Sequence, residues 1–139
     1  MRVLGLDLGS KRIGVAVSDR SGTIAGPLCV LQRSGSMARD HRVIADLVRE
    51  EEAVAVVVGL PLNMDGSQGP AAKAAVREAQ ALATVVGVPV HTCDERRTTA
   101  SADRVMIEAG LNAVERRKVV DKVAAAIILQ HWLDGRLAP

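Results

Sequence analysis

Gly5-Leu6-Asp7-Leu8-Gly9-Ser10-Lys11-Arg12-Ile13-Gly14-Val15-Ala16-Val17-Ser18-Asp19 is the stretch on which the fold turns. Residues 2–8 are apolar on both faces, as in the central strand of a sheet, apart from Asp7. Gly9-Ser10-Lys11-Arg12 reads as a turn, and Ile13, Val15 and Val17 alternate through a second strand at 13–19. Asp19-Arg20-Ser21-Gly22 is a second turn signal. A third strand follows at 23–31, where Gly26-Pro27 suits a bend or an edge position. The chain therefore opens as an antiparallel meander.

The periodicity changes after residue 33. Val43, Ile44, Leu47 and Val48 recur at helical spacing over 38–51. Ala53 to Val58 is a continuously apolar, β-branched run, the signature of a buried parallel strand. After the loop 59–69, Pro70 suits the first position of an Ala-rich helix that ends near Gly87. A fifth strand is expected at 88–92, a helix at 98–109 stopping at Gly110, and a last helix at 114–134. Right-handed crossovers place strands 4 and 5 beside strand 1 and parallel to it. The expected architecture is an α/β fold, a mixed five-stranded sheet of order 3-2-1-4-5 with helices on both faces, forming one domain over 1–139.

Composition narrows the function. The 139 residues are 48% hydrophobic and 24% charged, a globular balance, with one Trp and neither Tyr nor Phe. The core must rest on Val, Leu, Ile and Ala, and the aromatic platforms that stack single-stranded bases are missing. A net charge of +2 points to no particular partner, but basic residues cluster at Lys11-Arg12, Arg96-Arg97 and Arg116-Arg117-Lys118. Cys29 and Cys93 match no metal spacing and read as reduced core residues, which fits a cytoplasmic setting. No apolar run approaches the ~20 residues of a membrane span. His41, His91 and His131 are scattered, and no Ser-His-Asp or Cys-His constellation is present.

Three acids call for a chemical reading. Asp7 interrupts a strand that should be covered on both faces, and an isolated buried carboxylate is costly. It lies near the carboxyl edge of that strand, where ligands gather in open α/β sheets. Glu95 follows strand 5, so it reaches the same edge; Asp94 competes for the same role. Asp121 shares the helical face of Ala125, Ile128 and Trp132 and heads a stripe that packs on the sheet. A salt bridge to Lys118 or Lys122 would satisfy Asp121 without chemistry. If the three converge, they repel one another unless cations lie between them, and oxygen-only ligands suit Mg²⁺ or Mn²⁺. Two such ions about 4 Å apart support phosphodiester hydrolysis without a nucleophilic side chain.

The segments GLDLGSKRIGVAVSD (5–19), VVVGLPLNMDGSQGP (56–70), DERRTT (94–99) and VDKVAAAIIL (120–129) together resemble the YqgF/RuvX family, across essentially the whole chain. The resemblance implies an RNase H-like fold and a metal-dependent nuclease. The implied substrate is a four-way DNA (Holliday) junction or the 5′ end of pre-16S rRNA. It implies Asp7, Glu95 (ahead of Asp94) and Asp121 as the catalytic, metal-binding acids. Arg97 stands where the family usually carries an apolar residue, which leaves open whether that position packs inward or adds charge to the nucleic-acid face. Lys11, Arg12, Arg96, Arg97, Arg117 and Lys118 flank the acids and are expected to meet phosphates, and Asn63 in the loop after strand 4 a phosphate or a metal-bound water.

Two other readings compete. The first motif also resembles the phosphate-binding hairpin of actin-like ATPases and sugar kinases, but this chain lacks the second copy such a clamp needs. A non-catalytic ribosome- or nucleic-acid-binding module is the other. Paired cuts in a junction call for a twofold homodimer, for which the helices at 38–51 and 70–86 are candidate faces; processing of rRNA needs none.

Overall fold

The computed structural model describes residues 1–96 and 113–137, with side chains described for 1–96 and 121–136. The described elements are β1 (Arg2–Leu8), β2 (Arg12–Ser18), β3 (Ala25–Gln32), α1 (Met37–Glu50), β4 (Ala53–Leu60), α2 (Pro70–Val86), β5 (Val90–Asp94) and α3 (Ala113–Leu137). The helix expected at 98–109, Arg97, and the side chains of Arg117 and Lys118 lie outside the described residues.

The sheet has the expected order, β3-β2-β1-β4-β5. β1 pairs antiparallel with β2 and parallel with β4, and β5 runs parallel to β4. Pro27 sits on the edge strand β3, where the β2–β3 register shifts between Val15 and Ala16, and its missing N–H costs little there. Strand alternation sends β1 side chains to two separate cores. Leu4 and Leu6 pack with Ile44 and Val48 of α1 and Leu82 of α2. Val3 packs with Ala125, Ile128 and Leu129 of α3 on the other side. Among the described residues, no helix is long and apolar enough to cross a membrane.

Several boundaries moved, for local reasons. β3 starts at Ala25 rather than residue 23 because the Asp19 carboxylate accepts hydrogen bonds from the amides of Thr23 and Ile24, which draws both into the turn. β4 runs on to Leu60. β5 begins at Val90 instead of residue 88. Gly87 closes α2 in the left-handed conformation (φ 73°), and Pro89 offers only its carbonyl, which accepts from Val56 N at 2.9 Å. The later start carries β5 to Asp94, paired with Leu60, so Glu95 stands just beyond the ladder.

Candidate active site

Alternation along β1 turns Val3, Gly5 and Asp7 toward α3. At Gly5 a side chain would lie 2.7 Å from Leu129 Cβ, so α3 rests directly on the strand backbone. Asp7 pairs across the ladder with Gly14, and directly opposed residues point to the same face. A Cβ on Gly14 would overlap the carbonyl oxygen of Asp121. The first described turn of α3 side chains is thereby set on β2 beside Asp7. On the other flank, Leu6 pairs with Val58, which brings Gly59 of β4 alongside Asp7. A Cβ on Gly59 would overlap Glu95 Oε2 and come within 2.6 Å of Ile128 Cδ1. Along the line from β4 over β1 to β2 the acids thus run Glu95, Asp7, Asp121, the first two facing α3 and the third carried by it.

Their electrostatic states differ. Glu95 is 9% exposed, and its amide donates to Leu60 O at 3.2 Å. Burial first, then the charges of Asp7 and Asp94, push its carboxyl up to about 7. Asp94, one residue earlier, makes a different set of contacts. Hydrogen bonds from the Arg96 side chain and amide hold its carboxyl below the usual range. That contrast separates the two acids that spacing alone left equivalent. Asp121 Oδ2 accepts from Arg12 Nε at 2.8 Å, both side chains being about a fifth exposed. Among the described residues the cation on Asp121 is therefore Arg12, 109 residues away, rather than Lys122; the Lys118 side chain lies outside them. Asp7 and Glu95 are coupled directly; Asp121 stands next to them but is tied to Arg12. Among the described residues no three acids or imidazoles already close on one ion.

The other predicted contacts fall around this edge. Lys11 is exposed in the β1–β2 turn. Arg96 is drawn into structure: besides Asp94, its Nη1 donates to Met64 O at 3.2 Å, fastening the loop 61–69 to the end of β5. Asn63 organises that loop. Its amide donates to Ser67 O, its carbonyl accepts from Gly66 N, and its Nδ2 donates to Ser67 Oγ. Asn63 is exposed at the loop surface.

Sequence reasoning missed the group that braces this edge from the opposite face. Arg33 donates from Nε to Gly9 O at 3.0 Å and from its backbone to Lys11 O, pinning the turn after Asp7. Its two Nη groups grip Glu78 of α2 at 2.7 and 2.9 Å, and buried His41 of α1 meets the same carboxylate at 2.9 Å. No local pattern announces this triad. The close approach of α3 was signalled, since Gly14 and Gly59 interrupt strand interiors where a side chain is normally wanted.

Comparison with known proteins is consistent with this geometry. Residues 1–135 match the family model described as RuvX, Holliday junction resolvase. A Myxococcus xanthus protein named "Putative pre-16S rRNA nuclease" is 48% identical over 139 residues, covering 100% of this chain and 91% of its own. A protein of the same name from Pelotomaculum thermopropionicum is 46% identical, covering 100% of this chain and 90% of its own. Among solved structures, Thermus thermophilus RuvC in complex with a Holliday junction substrate superposes with a TM-score of 0.61 at 22% identity. That alignment covers 99% of this chain and 96% of the other, a likeness of fold.

Proposed function

The chain belongs to the RuvX family of Holliday junction resolvases, a family of nucleases, and from that premise we propose that it is a divalent-metal-dependent endonuclease acting on structured nucleic acid. The observation that carries this reading is the coupling of Glu95 to Asp7 beneath α3, with Asp121 one strand away. Acids perturbed by burial and by a neighbouring like charge at a strand edge mark functional sites.

The donor set fits Mg²⁺ or Mn²⁺: carboxylate oxygens only, with an excess of negative charge that a divalent cation would relieve. Asp7, Glu95 and Asp121 are the proposed ligands of two ions, which when bound supply activated water and offset charge on the leaving oxygen. The residues of the chain do the rest. Asp7 is held rigidly on a central strand, and burial of Glu95 keeps bulk water from its carboxyl. Lys11 and Arg12, in the turn that Arg33 pins, are placed to meet phosphates, and Arg97, Arg117 and Lys118 complete the proposed set. Arg96 acts through the loop it fastens. With one Trp in the chain, recognition rests on backbone and shape rather than base stacking.

The relatives are named for precursor 16S rRNA and the family for Holliday junctions. One panel tests the reading: wild type and Asp7→Asn, with Mn²⁺ or Mg²⁺, on a four-way DNA junction, matched duplex DNA and a pre-16S leader RNA. Metal-dependent cleavage of the junction or the leader is expected, falling more than about 100-fold in Asp7→Asn, beyond the 10–100-fold typical of outer-shell losses. Cleavage that survives Asp7→Asn contradicts the mechanism. Binding without cleavage of any substrate would favour a non-catalytic module.

A further inference from the structure

We propose that Arg12 is a counterion displaced by substrate: it holds Asp121 in the free protein and leaves for a phosphate when nucleic acid binds, releasing Asp121 to the metal site. The inference rests on the metal-site reading above and adds an order of events to it.

The backbone beneath Arg12 is fixed. Gly9 packs so closely in the turn that a side chain there would lie 2.6 Å from Arg12 O, and Arg33 grips the same turn at Gly9 and Lys11. Gly14 fixes the other end, seating the Asp121 backbone on β2. Any rearrangement between the two residues must therefore come from their side chains, by the departure of Arg12 and the turning of Asp121.

The contact itself is a weak form of arginine–carboxylate pairing. It uses Nε and the single oxygen Oδ2. Among the described residues, the two Nη groups of Arg12 donate to no protein acceptor. A guanidinium carries five donors, and its favoured partners are carboxylates and phosphates that take two at once. A phosphate at this edge offers Arg12 a two-point contact in exchange for a one-point contact, at a part-buried position. A metal ion drawn to Asp121 meets the positive charge of Arg12 already on Oδ2, so each cation weakens the hold of the other on that carboxylate. Metal affinity and nucleic-acid affinity are thus coupled through Arg12, and the coupling is reciprocal.

The test uses Mn²⁺ binding, followed by the electron paramagnetic resonance of free Mn²⁺, and junction binding in EDTA. Arg12→Gln should tighten Mn²⁺ binding to the free protein about tenfold, by removing a neighbouring positive charge and freeing Asp121. The gain should vanish when Asp121→Asn is already present. In EDTA, Asp121→Asn should tighten binding of a labelled four-way DNA junction about threefold when Arg12 is present and not in Arg12→Gln. That second cycle also serves if Arg12→Gln alone fails to give a cooperative melt, since Asp121→Asn against wild type then carries the result. A merely structural ion pair predicts unchanged or weaker Mn²⁺ binding in Arg12→Gln, and that outcome, or no gain in junction binding in Asp121→Asn, overturns the proposal. Asp7→Asn separates the two levels. Mn²⁺ binding that ignores Asp7 overturns the metal site and this inference together; Mn²⁺ binding that needs Asp7 but ignores Arg12 overturns the inference alone.

Discussion

Glu78 and Glu95 are both buried glutamates, and they lie on opposite sides of the same sheet. Glu78 faces Arg33 and His41. Burial pushes its carboxyl up, but the hydrogen bonds and charges of Arg33 and His41 prevail and hold it below the ordinary value. Glu95 faces Asp7 and Asp94, and burial and charge push it the same way, up to about 7. One acid is neutralised by the fold and the other is held against like charge. The first is what a protein does with a carboxylate it needs for structure. The second is the perturbed kind of acid that marks functional sites. The two groups are connected, because Arg33, which satisfies Glu78, also pins the turn that follows Asp7.

The largest effect that would break this contrast lies on the structural side. Glu78→Ala leaves Arg33 and His41 buried without their shared partner, and removing one member of a buried pair costs about 3–5 kcal/mol. Urea unfolding should show that loss with an unchanged m-value. A loss under about 1 kcal/mol would mean that Glu78 is not the structural acid described.

Gly14→Ala comes next. Its methyl group would overlap the Asp121 carbonyl, which must push α3 off β2, at about 1–3 kcal/mol. Gly26→Ala on the edge strand meets nothing within 4 Å and should stay within about 0.5 kcal/mol of wild type. Equal thermal shifts for the two would refute the close seating of α3.

Glu95→Gln is the smallest and has the opposite sign. A carboxyl raised on folding holds its proton more tightly in the folded chain than in the unfolded one. Stability should therefore fall as pH rises from the ordinary value of 4.5 to about 7, and stay lower above that. In EDTA at pH 8, Glu95→Gln should be more stable than wild type by about 1–2 kcal/mol after allowance for solvent screening, with the gap closing toward pH 5. A variant less stable than wild type at pH 8 would mean that Glu95 belongs with Glu78.

The strand order and the positions of Asp7, Glu95 and Asp121 on one face could be read from local signals. Period-2 alternation, a β-branched run at 53–58, Pro70 and Gly87, and the helical phase of Asp121 with Ala125 and Ile128 each depend on neighbours a few residues away. What was not legible depends on distant partners. The Arg12–Asp121 pair spans 109 residues and the Arg33–Glu78 pair 45, and no periodicity encodes a salt bridge between elements. Asp94 and Glu95 could not be ranked by spacing because the start of β5 depended on Pro89. Its carbonyl, not its nitrogen, joins β4.

The central claim is that the acids between the sheet and α3 form a metal site, and a crystal soaked in Mn²⁺ examines it directly. Anomalous scattering should place Mn²⁺ within coordination distance of both Asp7 and Glu95, with Asp121 turned from Arg12 toward the metal once nucleic acid is bound. Crystals grown above pH 7 with no Mn²⁺ peak at Asp7 and Glu95, or with the only peaks elsewhere on the chain, would contradict the account.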